Sequence, residues 1–525
     1  HGPRSFAYMG GGGQGCHFEA AFGVRLMRGL GSRYHYSPLT QEFSGMFWVD
    51  GRMYGRQNNH PEIDAEDTDF LLVFGWNGMQ SHQIPQAPRR LQRIAGDPDR
   101  LLVVVDPRLS ETAKAADIHL PIRPGTDALL MRAMIAVILQ EGWENRDYIE
   151  KHTSGLEEVR PLFMEFDALR AIKTCNLDYD RVREICRLFA TRKSCLRYDL
   201  GIMMNRHSAV SSYLAVTLLA ICGRIGVRGG NVFHGMIMPL GSHSDERDPG
   251  TWRTVATDFP AIVGCFPPNA MPEEILSDHP ERLRAVIVSG SNPLRSYADT
   301  TAYEEAFKRL DLLVTAEMAM TETAVLSHYV LPSRSAYESW DGTFFALTFP
   351  GIYFQMRRPI IEPDGEPLEL GEIHLRLADR MGLIPPIPES LHKAAEEGHA
   401  VFGAALMDYV AREPAAMRAL PFIVGKTLGR AMGSVHLAAL WGMMQTVPKS
   451  FRRNAARAGF TPGIGMGEEL FRRILDHPEG LWIGTVDPDE NLADIRTADG
   501  KINLVIPELR TELETLAAAR EEEAL

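Results

Sequence analysis

Hydrophobic residues in this chain gather in short unbroken runs that stop abruptly at glycine, asparagine, aspartate or proline. Residues 70–74 (Phe-Leu-Leu-Val-Phe), 101–105 (Leu-Leu-Val-Val-Val), 285–289 (Ala-Val-Ile-Val-Ser) and 312–316 (Leu-Leu-Val-Thr-Ala) are such runs. Continuous rather than alternating apolar runs predict strands buried on both faces of a parallel sheet. Polar and turn-forming residues follow them: Gly75-Trp76-Asn77, Asp106-Pro107-Arg108, Gly290-Ser291-Asn292-Pro293 and Glu317. Helical patterns fall between and after the runs, at 87–94, 127–142 and 212–222. Strand and helix therefore alternate, which predicts an α/β protein with parallel sheets. In open sheets of this kind ligands sit beyond the carboxyl ends of the strands, where the polar residues fall here. Two such sets imply either two nucleotide ligands or one large ligand held from both sides. Beyond 385 the pattern is largely helical, and 428–457 reads as a packed amphipathic pair.

Length and charge narrow the class. A chain of 525 residues is too long for one core, so several domains are expected. The net charge of −13, from 68 acidic and 55 basic residues, argues against nucleic acid as the main partner. No apolar run is long enough to cross a bilayer, and His1-Gly2-Pro3-Arg4 has no signal-peptide shape, so a cytoplasmic protein is expected. Six scattered cysteines include no C-x-x-C pair. Neither a zinc ribbon nor a ligated iron–sulfur cluster is encoded, and reduced, buried thiols are expected.

The run Gly10–Gly15, leading into a helical stretch, lets backbone N–H groups approach an anion closely, or is a flexible loop. Pro124-Gly125-Thr126-Asp127 reads as a turn with a helix cap.

Taken in order, Gly75-x-Asn77, Asp106-Pro107-Arg108 and Pro124-Gly125-Thr126-Asp127 resemble the molybdopterin oxidoreductases of the dimethyl sulfoxide reductase superfamily. So do Gly290-x-Asn292-Pro293, Glu317, Thr321-Glu322-Thr323 and Val330-Leu331-Pro332. The resemblance runs from residue 1 to about 385 and is nearest the formate dehydrogenase-like branch. It implies two Rossmann-like, doubly wound domains in a pseudo-two-fold arrangement, plus a helical C-terminal segment. Residues 1–33 with 234–390 would serve the second dinucleotide and 34–233 the first, with 391–525 a helical linker. Two pterin guanine dinucleotides would surround one molybdenum or tungsten.

On that basis Asp106 and Arg108 would meet the ribose and phosphates of one dinucleotide, and Asp127 its guanine. Gly75, Asn77 and Gly125 would let the backbone pass close to it. Gly290, Asn292, Glu317 and Thr321 would serve the second dinucleotide, and Gly11, Gly12 and Gly13 would approach phosphates or pterin. A small-molecule substrate, an electron-transfer partner subunit or carrier, and an iron–sulfur cluster in a part of the protein outside this sequence are implied as well. The resemblance also implies a catalytic subunit whose cluster domain and closing barrel lie beyond these residues.

The pattern breaks at the metal. Where the formate dehydrogenase-like branch carries Cys-His-Ser-Pro after an arginine, this sequence reads Arg33-Tyr34-His35-Tyr36-Ser37-Pro38. His35 falls at the ligand position and Tyr36 at that of the catalytic histidine. Three readings stand open: His35 ligates the metal, no protein atom does, or His35 is an acid/base nearby. Arg206 and His207 fall where the family places substrate-pocket residues, and Gln41 and Glu42 are further candidates to face it. Rival readings are a cofactor-free structural or electron-wiring subunit of a respiratory complex, and a non-redox hydratase on the same scaffold.

Overall fold

The computed structural model describes residues 1–10, 17–235, 237, 241–344 and 349–516. The fold is α/β, and the chain divides into two compact units. The first comprises His1–Gln41, Glu246–Phe344 and Tyr353–Ile483; the second comprises Glu42–Asp245, Phe345–Ile352 and Gly484–Leu525.

The first unit is built on a five-stranded, all-parallel sheet in the order Tyr329–Pro332, Leu312–Glu317, Ala285–Ser289, Phe6–Met9, Tyr34–Tyr36. Its central strands carry the apolar runs, and Val286, Val288 and Leu313 are each at most 1 % exposed. One face packs on a cluster that includes Tyr34, Tyr36, Phe266, Tyr303 and Phe307. Helix Glu19–Gly29 lies against Leu370–Arg380. Its first residue, Glu19, is a fully buried carboxylate bonded by the Tyr8 hydroxyl and by Ser289 Oγ, and His374 Nε2 lies 3.3 Å from that same oxygen. This knot ties the helix start to the carboxyl ends of two adjacent strands.

The second unit carries a four-stranded parallel sheet in the order Ile118–Leu120, Leu101–Val105, Phe70–Phe74, Ser194–Tyr198. Helices Asp127–Gln140 and Ser208–Ile221 pack on each other, and the latter is buried along nearly its whole length. A short antiparallel pair, Pro61–Ile63 with Asn231–Phe233, flanks the sheet. Asn491 pins the second of these strands, its amide donating to Phe233 O (2.7 Å) and its oxygen accepting from Phe233 N (2.8 Å).

Two boundaries differ from the sequence expectation. Tyr34–Tyr36 pairs with Phe6–Met9, so the first unit's sheet takes in residues that the sequence assigned to the other domain. The helical stretch from 391 is not a separate linker. Its apolar faces need partners, and residues up to Ile483 find them in the first unit while residues 484–516 pack with the second.

Candidate functional site

At the carboxyl end of the second unit's sheet, Gly75 leaves strand Phe70–Phe74 with φ +57°. A Cβ there would lie 2.9 Å from Ile202 N and 3.0 Å from Gly201 Cα, and Gly201 N donates to Gly75 O at 3.1 Å. The helical turn Leu200–Met203 that follows the neighbouring strand leaves no room for a side chain here and so demands glycine. Two residues on, Asn77 Nδ2 donates to Glu111 Oε2 (2.7 Å). Its Oδ1 accepts from both the N–H (3.1 Å) and the hydroxyl (2.8 Å) of Thr112. Thr112 Oγ1 in turn accepts from Met79 N (3.1 Å), and Ser110 caps the helix Glu111–Ala115. Asp106 closes the adjoining turn, accepting from Arg108 N (2.8 Å) and Ser110 Oγ (2.9 Å). The Arg108 side chain is exposed, 3.6 Å from Glu111.

The first unit repeats the asparagine–glutamate–threonine part of this arrangement. Gly290 leaves Ala285–Ser289 with φ +57°. Asn292 Nδ2 donates to Glu322 Oε2 (2.7 Å), and its Oδ1 accepts from the N–H (3.3 Å) and hydroxyl (2.7 Å) of Thr323. Thr323 Oγ1 accepts from Leu294 N (3.3 Å), and Thr321 caps the helix Glu322–Leu326. Glu317 accepts from Met318 N (2.8 Å). Asn77 and Asn292 thus hold a helix start against a strand end in each unit. Glu111 and Glu322, each bonded by an asparagine amide, are held below the usual carboxylate range. Half of this device went unread in the sequence, although Ser110-Glu111-Thr112-Ala113 repeats the string Thr321-Glu322-Thr323-Ala324.

Asp127 is unlike the other acids. It opens helix Asp127–Gln140 with Thr126 as the cap, one residue earlier than expected, and is 7 % exposed. Burial pushes its carboxyl up to about 6; its own backbone N–H opposes the shift and nearby Asp106 adds to it. Gly125 beside it has φ +78° and open space where a Cβ would stand. A desolvated hydrogen-bond acceptor thus stands next to uncovered backbone.

His35 occupies the middle of the first unit's edge strand Tyr34–Tyr36. Its Nε2 lies 3.2 Å from Gly10 O and its Nδ1 3.3 Å from Cys265 Sγ. Burial draws the imidazole down to about 4, and burial raises the Cys265 thiol to about 12. Both groups are neutral at pH 7. Cys265 is presented by a tight turn in which the β-branched Val263 takes φ +49° and Gly264 φ +77°. Sequence spacing gave no sign of this pairing, since 230 positions separate the two residues. In the second unit, His207 Nδ1 lies 2.6 Å from Glu512 Oε1, whereas Arg206 is exposed on the preceding turn. Glu42, half-buried, is raised by burial and by Asp199. Gly11, Gly12 and Gly13 lie outside the described residues, as does Cys16. No group of three or more His, Cys, Asp or Glu able to hold a metal ion occurs among the described residues.

Two parallel sheets, each with the same bonded turn at its carboxyl end, define an α/β protein with paired strand-end sites. Residues 1–380 match the model of the molybdopterin oxidoreductase family, and the chain belongs to that family. It is 29% identical over 344 residues to the F420-dependent formate dehydrogenase subunit alpha of Methanocaldococcus jannaschii, covering 61% of this chain and 48% of that protein. It is 27% identical to formate dehydrogenase H of Escherichia coli, covering 61% and 46%. A solved structure of acetylene hydratase from Pelobacter acetylenicus aligns with TM-score 0.61 at 22% identity, over 73% of this chain and 56% of that one. The chain spans about half the length of the curated relatives it matches.

Proposed function

We propose that this chain is the dinucleotide-gripping part of a formate dehydrogenase-like oxidoreductase that binds two pterin guanine dinucleotides around molybdenum or tungsten. The observation that carries the reading is the duplicated Asn–Glu–Thr turn at two parallel-sheet ends, because a repeated grip calls for a repeated ligand half. When bound, such a group supplies two-electron redox chemistry at its metal. The residues of this chain bind and orient it. Asp127 accepts from the guanine donors, exposed Arg108 offsets phosphate charge, and the bare backbone at Gly125 permits close approach. Asp106, Asn77, Asn292, Glu317 and Thr321 act one step back, since their own atoms fix the turns that present backbone to the ligand.

In the first unit, His35 is offered as a neutral imidazole whose ring is already engaged by Gly10 O and Cys265 Sγ; in the second, His207 is offered as a base oriented by Glu512. An electron-transfer partner is part of the reading, as the relative from Methanocaldococcus jannaschii is by name one subunit of a formate dehydrogenase. The test is the metal and pterin-nucleotide content of the full-length protein from a host that makes the cofactor. One molybdenum or tungsten and two guanine nucleotides per chain support the reading. A well-folded protein holding neither would replace it with a cofactor-free structural subunit.

A further inference from the structure

The second unit buries a set of ionisable side chains that the dinucleotide grip does not use. Asp50, on helix Ser44–Tyr54, is fully buried, and its Oδ2 lies 3.1 Å from His60 Nδ1. Glu62, two residues along and on the same strand face as His60, pairs with Arg197 on strand Ser194–Tyr198. Arg197 also donates to Gln83 Oε1 (2.7 Å), approaches Asp199 at 3.7 Å and stacks on Trp76. The register Pro61↔Phe233, carried one residue further, sets half-buried His234 opposite His60, and each ring feels Glu62. Tyr54 and Tyr198 are the remaining titratable groups that feel Asp50.

Charge counting shows what this set must hold. Asp50, Glu62 and Asp199 are three carboxyls facing one guanidinium. Glu62 is matched by Arg197, and Asp199 is bonded by Leu200 N at 2.8 Å. The surplus falls on Asp50, whose one bonded partner is His60. An unmatched buried carboxylate costs several kcal/mol, and a proton held between Asp50 and His60 would remove that cost. A purely structural pair would close its hydrogen bonds. Here Asp50 Oδ1 and the Tyr54 hydroxyl, four residues apart on one helix face, are both buried without a partner.

We propose that Asp50, His60 and His234 form a proton-storage site: Asp50 and His60 share one exchangeable proton, and His234 passes it outward. The burial of Asp50, which lifts its carboxyl to about 6, and the carboxylates that lift His60 keep that proton bound near neutral pH. His234, drawn down to about 4 by burial, is neutral there and able to accept. A two-electron reaction that releases or takes up a proton would draw on such a store. The use of the site, though not its existence, rests on the function proposed above.

The site is testable without cofactor. In a histidine-labelled NMR titration of the whole chain, with His60 assigned through His60→Gln, the His60 midpoint should lie above 6.5. It should fall by about one pH unit or more in Asp50→Asn and in Glu62→Gln. His234→Gln should leave the midpoint in place and slow proton exchange at His60 about tenfold. A His60 midpoint unmoved in whichever of the two acid variants folds would overturn the storage site. Unchanged exchange in His234→Gln would overturn the relay. Because metal content plays no part in the readout, this result and that of the cofactor analysis are separable.

Discussion

Asp127 is a carboxyl taken out of water with no cation beside it, and two consequences follow at the scale of this one residue. Its folded pKa of about 6 lies above the ordinary aspartate value. Its contribution to stability is therefore fully present below about pH 4 and lost as the pH rises through 6. A shift of that size corresponds to about 3 kcal/mol at most. Asp127→Asn should thus raise the urea midpoint at pH 8, leave it nearly unchanged at pH 4, and lower guanine-nucleotide occupancy of the holoenzyme. Equal midpoints for variant and wild type at pH 8 would show that the carboxyl is not strained by burial. Cys265 gives a second residue-scale prediction. With its thiol raised to about 12 and buried, it should ignore a thiol reagent at pH 8 until denaturant is added, and Cys265→Ser should not change the native count.

Among the elements, the two bonded turns are the features whose loss is easiest to measure. Asn77→Ala and Asn292→Ala each strand a threonine hydroxyl and a helix-start N–H, an expected cost of ~1–3 kcal/mol per variant in chemical denaturation. Each should also remove about one of the two guanine nucleotides; loss of both or neither would refute a half-site per turn. Gly75→Ala should destabilise by ~1–3 kcal/mol, because its Cβ would strike backbone at Gly201 and Ile202. The strands were readable because parallel strands buried on both faces need apolar side chains at every position, and that composition is local. The roles of Asn77 and Asn292 were not, because one residue type serves equally to touch a ligand and to brace a turn. Cys265 beside His35 escaped altogether: a loop more than two hundred residues away closes that contact, and no periodicity records it. The division of the helical C-terminal part between two units was likewise hidden, since amphipathic faces state that a partner exists but not which one.

At the scale of the whole molecule the two units should respond oppositely to acid. In the first, half-buried His35 and fully buried His374 are drawn down to about 4 by desolvation. Such groups stabilise fully above about pH 6.5, and that stability is lost as pH falls toward 4, by about 3 kcal/mol each. In the second unit, Asp50, Asp64, Asp127 and Asp199 are raised, and their native forms gain as pH falls, which offsets the opposing shifts of His152, His234 and Glu62 and of Glu111, Glu141, Glu184 and Asp499. Hydrogen exchange between pH 6.5 and 4.5 should therefore show His1–Gln41 and Glu246–Phe344 opening before Glu42–Asp245. The reverse order would mean that the buried histidines do not govern acid lability.

The strand order of the first sheet also imposes a timetable on synthesis. Phe6–Met9 lies between Tyr34–Tyr36, made almost at once, and Ala285–Ser289, made some 276 residues later. At ribosomal speeds of about 5–20 residues per second, its second edge waits roughly 14–55 s for a partner. Throughout that interval an unpaired strand edge, its N–H and C=O groups unsatisfied, is open to any other nascent chain, while Phe70–Phe74 and Leu101–Val105 have already met. Slow elongation should therefore harm this protein's yield, and a chaperone that covers the first forty residues should restore it.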